Sequence, residues 1–476
     1  MTNVIVKWAG EKYEVVADFT DAPLTFKSQL FALTGVPPER QKVLAKGRTI
    51  GDESWNGLVL PAGTMLMMMG SADAVPQAIT AASSGHPSDE NAAKKVILPA
   101  GMKNLGNTCY MNATLQSFRV IPELLEALHK YQDSDVSVAG QRYHNLTKSI
   151  KVVYNQMTSA KREEDGTASI IPFMALQSLH STFPQFDTRD GAGHMMQQDA
   201  NECFSEVLRS ILTQLSSTAP GDANKITQYL EGRMSHEMKC TETDNEPVDI
   251  REERFLQLSC FPSQEVKYLQ SGIKSKMTEE IEKESAVLQR NAKYERKSLI
   301  SRLPAYLSVQ MVRFFYKEKD KVNAKILKDV KFPMVLDVFD ICSPELQSKL
   351  LPMRDQFKEY EDKKVEQLRL SKAEGAEEKP KVDNTTLEVI PSSFADDEGS
   401  NNSGFYELKA VITHKGRSSN SGHYVAWVRV NGDKWAMCDD DEVHEVTGDE
   451  VLKLSGGGDW HCAYVLMYGP KTLYKL

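Results

Sequence analysis

The chain of 476 residues lacks any Cys-x-x-Cys pair, although it holds seven cysteines, at 109, 203, 240, 260, 342, 438 and 462. A structural zinc cluster therefore has no ligand pairs to start from, and an odd, thinly spread set does not make a disulfide framework. No metal and no cofactor is expected. A run of ~18 apolar residues is also missing, so nothing is expected to span a membrane. Positive charge is not in excess: 57 Lys and Arg face 66 Asp and Glu, a net charge of −9. That balance argues against nucleic acid as a partner, because phosphate neutralisation needs a concentrated basic surface. The opening Met1-Thr2-Asn3 has no basic-then-apolar leader behind it, which points to the cytoplasm and nucleus. One cysteine is then free to be reactive, and the others read as small buried hydrophobes.

What is present is ordinary for a globular protein, with 41% hydrophobic and 26% charged residues, in a chain longer than the ~100–200 residues of one domain. Residues 1–70 form a small domain. Val4, Val6 and Trp8 alternate, then Tyr13, Val15 and Ala17, as in a hairpin. Leu24 to Leu33 is apolar at helical spacing, and Gly35 with Pro37-Pro38 stops it. Short runs at Lys42-Val43-Leu44 and Thr64 to Met69 complete a strand, strand, helix, strand, strand order, a β-grasp in outline. Residues 71–97, rich in Ala, Ser, Pro, Asp and Gly, read as a flexible linker. Sustained apolar patterning over 98–472 reads as one large domain, interrupted by a charged insertion at about 343–386. The insertion is helical from Ser343 to about Lys372, then disordered in composition.

The segment Gly101 to Ala113 is the most informative. Gly106, Asn107 and Thr108 are turn and cap residues, and Tyr110 to Val120 follows a helical rhythm with Met111, Leu115 and Phe118 on one face. Cys109 thus falls at a helix start, where free N–H groups and the helix dipole favour the negative charge of a thiolate, the nucleophile of acyl transfer. Asn104, on the loop before it, is placed to donate its amide to a developing oxyanion.

A second site begins at Ser418-Ser419-Asn420-Ser421-Gly422, a loop that leads into an alternating strand at His423. Asn431-Gly432 turns the chain, and Asp433 to Cys438 returns it to the acidic run Asp439 to Glu442. A two-residue hairpin sets His423 opposite Asp440 and Tyr424 opposite Asp439. An acid beside the imidazole fixes its tautomer and stabilises the imidazolium formed when the thiol is deprotonated. His194 reads as the start of an amphipathic helix. His461 reads as structural, alternating in a strand with Trp460, Cys462 and Tyr464.

Two resemblances follow from these segments. Residues 1–70 resemble ubiquitin in Thr34 to Leu44 and in the closing strand. The resemblance implies that Leu44 and Met68 lie on the apolar face such domains offer to receptors. Met69-Gly70-Ser71 replaces a Gly-Gly end, so the domain docks and is not conjugated. Asn104 to Ala113, Gln197-Gln198-Asp199-Ala200 and the His423 segment are similar to the boxes of the ubiquitin-specific proteases. With the ubiquitin-like domain, Arg302 to Tyr306 and Gln310 to Lys317, the match is to the proteasome-associated branch of that family. The implied architecture is α+β, a β-grasp domain followed by a papain-like domain of thumb, palm and fingers.

The same resemblance implies Cys109 as nucleophile, His423 as base and Asn104 as oxyanion donor. The family pattern assigns the third member to Asp439, the first acid after the returning strand; a bulge or longer turn in the hairpin reconciles this with the register above. Gln198, Asp199, Ser419, Ser421 and Tyr424 would contact ubiquitin along its extended tail. Cys240 and Cys260 stand alone in the region where many members carry zinc. The implied partners are ubiquitin, ubiquitinated proteins and the 26S proteasome. The alternative is a non-catalytic, ubiquitin-binding regulator of the proteasome.

Overall fold

The structure is a computed structural model. It describes residues 97–132, 140–163, 166–217, 224–317, 322–373, 388–418, 421–458 and 460–475, and, nearer the N-terminus, 2–8, 11–17, 19, 23–34, 36, 41–45, 48–51, 54–55, 58, 60–61 and 63–69. The expected linker and the stretch 374–386 of the expected insertion lie almost wholly outside these residues. The chain divides into two units, Met1–Ala93 and Lys94–Leu476.

In the first unit the hairpin Thr2–Trp8 and Glu11–Ala17 is followed by the helix Pro23–Thr34 and strands Lys42–Ala45, Arg48–Thr49 and Met65–Met69. Met65–Met69 runs parallel to Thr2–Trp8 and antiparallel to Lys42–Ala45, at the centre of a five-stranded sheet. Val4, Val6, Val15, Phe26, Leu30, Val43, Leu66 and Met68 fill the core between helix and sheet. Gln41 ties the helix to the loop after it, donating to the carbonyls of Lys27 and Val36 at 2.8 and 2.7 Å.

One expectation is overturned here. Met68 is 3% exposed, whereas Met65, Met67 and Met69 are 55%, 55% and 46% exposed. Alternate strand residues face opposite sides, so Met68 belongs to the core with its cross-strand partner Val43, and Met67 pairs with half-buried Leu44 on the outer face. The apolar outer stripe is thus Met65, Met67, Met69 and Leu44.

The second unit sets helices against a twisted sheet. Cys109–Phe118, Pro122–Lys130, Gln141–Ser159, Phe173–Thr182 and Ala200–Ser217 form the helical part. The main sheet runs, in spatial order, Gln257–Cys260, Leu307–Met311, Cys462–Pro470, Phe405–Ser418, Ser421–Asn431, Lys434–Asp439 and Glu442–Thr447, with Val335–Asp337 paired to Phe405–Ser418. Both faces are covered. Tyr424, Ala426 and Val428 join the core shared with Cys109–Phe118, and Val425 and Trp427 join a second core on the other face. A separate four-stranded sheet of Thr278–Ser285, Arg290–Arg302, Gly232–Cys240 and Asp249–Phe255 makes the fingers. Its strands are heavily charged, and Cys240 and Cys260 lie in different apolar clusters.

Arg313 is fully buried, and its guanidinium donates to the carbonyls of Ala463, Ile326, Lys328 and Ser455 at 2.7–3.0 Å. Removing those donors would leave buried acceptors unpaired, each costing about 1–3 kcal/mol. The charged helix expected from Ser343 runs Pro344–Ala373, with Pro352 inside it.

Candidate active site

Cys109 is the first residue of its helix. The preceding turn needs left-handed backbone at Gly106 (φ 108°) and Asn107 (φ 53°), conformations suited to Gly and Asn. Asn104 organises the turn: its carbonyl oxygen accepts from the N–H groups of Gly106 and Thr108 at 3.0 and 3.1 Å. Asn107 then donates to the Met195 carbonyl at 2.8 Å, joining the turn to the strip that carries Gln197.

Two donors converge on the Cys109 Sγ: the Gln197 side-chain amide at 3.2 Å and the Tyr424 backbone N–H at 3.4 Å. Across from them, His423 Nε2 lies 2.5 Å from Asp439 Oδ1. The hydrogen bond to Asp439, reinforced by Cys109, pushes His423 up to about 10. Asp439 is in turn held below the usual carboxylate range by that bond. With Nε2 engaged, Nδ1 is the ring nitrogen left for the thiol.

The hairpin register explains why Asp439 and not Asp440 is the partner. Ala426 pairs with Cys438 and Arg429 with Trp435, but Asn431 pairs with Lys434, so Val430 is a bulge. The extra residue shifts the register by one from that of a tight two-residue hairpin and turns Asp439 to the His423 face. Asp440, expected opposite His423 from the tight turn, adopts φ 54° and points to the helix side. Its two oxygens accept from Asn112 and Asn104, each at 2.8 Å. Burial raises it above the ordinary aspartate value. Its own carbonyl accepts the Met102 N–H at 2.8 Å. Gly101 beside it is required, because a Cβ there would strike the Asp441 backbone.

Donor atoms of His423, Asp439 and Asp440 lie within 4.8 Å of one another, a set a cation could use. Hydrogen bonds already engage both carboxylates: Asp439 holds the imidazole of His423, and Asp440 holds Asn104 and Asn112.

The other expected residues divide. Asp199 caps the helix Ala200–Ser217 through Oδ1, accepting from Asn201 and Glu202 at 2.7 and 3.0 Å, and its Oδ2 accepts from Tyr464 at 2.6 Å. Gln198 donates to Thr188 at 2.5 Å. The Tyr424 ring is buried beside His414 and Tyr464, so it offers no open surface. Ser421 is exposed and pairs with Ser418 across a short hairpin in place of the long loop expected; Ser419 lies outside the described residues. His194 is not on a helix. It sits in an exposed turn near Asp190, and the helix starts at Ala200 because Asp199 caps it. His461 is buried against Thr413 and Trp427 and held down at about 4 by burial and then by Lys415.

Two roles at the centre were missed, although both residues stand in segments that resemble the family: Gln197 on the thiol and Asn112 on Asp440. Asn112 carried a signal, a polar residue three positions after Cys109 on a wholly buried helix.

Residues 100–468 match the family described as ubiquitin carboxyl-terminal hydrolase. The chain is 42% identical to ubiquitin carboxyl-terminal hydrolase 14 of Caenorhabditis elegans, over 99% of this chain and 94% of that protein. It is 36% identical to ubiquitin carboxyl-terminal hydrolase 6 of Schizosaccharomyces pombe, over 99% and 100% respectively. Among solved structures it is similar to the SAGA Ubp8/Sgf11/Sus1/Sgf73 DUB module bound to ubiquitin aldehyde. There the TM-score is 0.53 at 19% identity, over 81% of this chain and 72% of the other, a likeness of fold.

Proposed function

This chain belongs to the ubiquitin carboxyl-terminal hydrolase family and is a cysteine-type deubiquitinase, and from that premise we propose the following division of labour at its site. Cys109 Sγ attacks the carbonyl carbon of ubiquitin's terminal glycine, forming a C–S bond as the carbonyl becomes an oxyanion. The His423 imidazolium, held by Asp439, gives its Nδ1 proton to the lysine nitrogen, and the C–N bond breaks. Water then attacks the thioester carbon, His423 takes its proton, the C–S bond breaks to return the Cys109 thiolate, and ubiquitin leaves with a free carboxylate. Asn104, one of whose amide N–H bonds points at Asp440, offers the other to the oxyanion, and Gln197 stands beside it. The observation that carries this reading is the convergence of Gln197, Tyr424 N–H and the His423–Asp439 pair on one helix-start thiol.

The substrates are ubiquitinated proteins held at the proteasome, in the cytoplasm and nucleus. Support for this comes from the ubiquitin-like first unit, whose outer stripe of Met65, Met67, Met69 and Leu44 is an apolar surface without cover in its own core. Gln198, Asp199 and Ser421 border the path of ubiquitin's tail.

Ubiquitin bearing a C-terminal electrophile tests both parts, with and without proteasome. Wild type is expected to label and Cys109→Ala not to. Met67→Glu is expected to abolish co-sedimentation with the proteasome while leaving the basal labelling rate intact. A wild type that never labels would sink the Cys109 assignment and favour a docking-only regulator. Met67→Glu that still co-sediments would sink the docking face.

A further inference from the structure

Trp460 lies outside both apolar cores and is 58% exposed, the most exposed tryptophan among the described residues. It is nonetheless fixed. The Lys415 Nζ stands 4.9 Å from its ring centroid, and His461 meets it edge-on at 5.2 Å. His461 is itself anchored, with Nδ1 3.2 Å from Thr413 Oγ1. Left-handed Gly456 (φ 118°) and Gly457 (φ 93°) shape the turn that brings the chain there.

The position matters because Lys415 is the register partner of His423. Side chains of paired residues share a face of the sheet. On the strand Ser421–Asn431 the face of Tyr424 packs toward the Cys109 helix, and the face of Val425 and Trp427 packs away from it. His423 belongs to the second set. The imidazole therefore has Cys109, Gln197 and the Tyr424 N–H toward the thumb, and on the other face its neighbour is Lys415, which carries Trp460 and, against Trp460, His461.

The two halves of an isopeptide must lie on opposite sides of the attacked carbon. On the reading above, the acyl half runs along Asp199 and Gln198, on the thumb side. The departing nitrogen must face His423, from which it takes its proton, so its carbon chain leaves past the outer border of the imidazole. We propose that Trp460, with Lys415 stacked on it, is the wall of the leaving-group subsite and packs against the methylene stem of the substrate lysine. An indole face suits that stem, as tryptophan faces suit lysine side chains generally. The proposal rests on the assignment of Cys109 and His423.

The test pairs two probes. One is ubiquitin joined by an isopeptide bond to the lysine of a short peptide. The other is ubiquitin with a C-terminal propargylamide, which labels the thiol and has no group beyond the reacting carbon. For Trp460→Ala, kcat/KM on the isopeptide is expected to fall by about tenfold, the scale on which a lost apolar wall discriminates one or two methylenes. The labelling rate is expected to stay within about twofold, since the probe never reaches the subsite. Trp460→Phe is expected to restore most of the isopeptide rate. A parallel fall on both probes would mean that Trp460 only supports the site, and no fall on either would mean that the lysine stem passes elsewhere; both overturn the proposal. A wild type that fails to label would instead remove the assignment beneath it.

Discussion

Two histidines on neighbouring strands of one sheet are driven in opposite directions. His414 pairs with Tyr424, one position from His423, so the two rings are near neighbours, His414 fully buried and His423 partly exposed. Yet His423 is pushed up to about 10 and His414 is held down at about 3. For His423 the hydrogen bond to Asp439 outweighs burial, and Cys109 adds to it. For His414 burial comes first, and Lys325, whose Nζ lies 3.0 Å from its Nδ1, adds to it with a second positive charge. The lesson is that a carboxylate partner raises one of two adjacent imidazoles, while full burial beside a lysine lowers the other.

The most severe way to break this contrast is to remove the favoured ring. His423→Gln should lower the isopeptidase kcat by about 10³–10⁴-fold with the fold intact, since the side chain is partly exposed; circular dichroism and single-turnover kinetics check both halves. Next is its partner. Asp439→Asn keeps the shape and removes the charge, and should cost about 10²–10³-fold in kcat. It should also change the alkaline limb of stability. In the wild type His423 gains its partner on folding, so the stabilisation is complete below the unfolded value of ~6.5 and is lost as pH rises through about 10. Chemical denaturation from pH 7 to 10 should show that decline in the wild type and a flatter line in Asp439→Asn. Equal slopes would mean that Asp439 is not what holds the imidazolium.

Much of this contrast was legible in the sequence, and the part that was not has one physical cause. The helix-start cysteine, the histidine at a strand start and the acids after the returning strand could all be read from turn and alternation signals. Which of Asp439 and Asp440 faces the imidazole could not, because it depends on the bulge at Val430, and a bulge is a backbone event that alternation does not encode. Met68 was misplaced for a different reason: it was carried over from the resemblance to ubiquitin, whereas the alternation of Met65 to Met69 puts Met67 on the outer face. The role of Gln197 was hidden for another reason, although the residue stands in a segment that resembles the family. Its contact with Cys109 spans 88 positions and is made by a strip without regular structure, where no periodicity points anywhere. The β-grasp outline and the long charged helix from Pro344, by contrast, follow from local periodicity alone.

A gentler change presses the two histidines against each other. Gly422 lies between the strand end and His414 with φ 137°, and a Cβ there would collide with His414 Nε2 and the Lys415 carbonyl. Gly422→Ala should destabilise by about 1–3 kcal/mol, the cost of a strained backbone position. It should also slow the reaction by about tenfold, because displacement of His423 by a fraction of an ångström disturbs its alignment with the thiol. A thermal melt with electrophile labelling separates the two effects. An unchanged labelling rate would mean that the loop gives way without moving the base.

The smallest expected effect on activity, and the sharpest test of the contrast, is His414→Phe. The ring is fully buried and packs on Tyr424 with ring centroids 4.7 Å apart. An aromatic of similar shape should preserve that packing and leave kcat within about threefold, since His414 touches no reacting atom. Stability in acid should change instead. His414 is neutral in the fold down to about 3, while the unfolded chain protonates it near ~6.5. Its contribution is therefore complete above ~6.5 and is lost as pH falls from there toward 3, at up to about 1.4 kcal/mol per pH unit for one proton. His414→Phe cannot take up that proton in either state, so urea melts from pH 6.5 to 4 should fall less steeply than in the wild type, while the alkaline limb set by His423 stays in place. If instead the acid limb is unchanged and the alkaline limb moves, the two rings are coupled, and the charge at Asp439 alone does not decide which of them is the base.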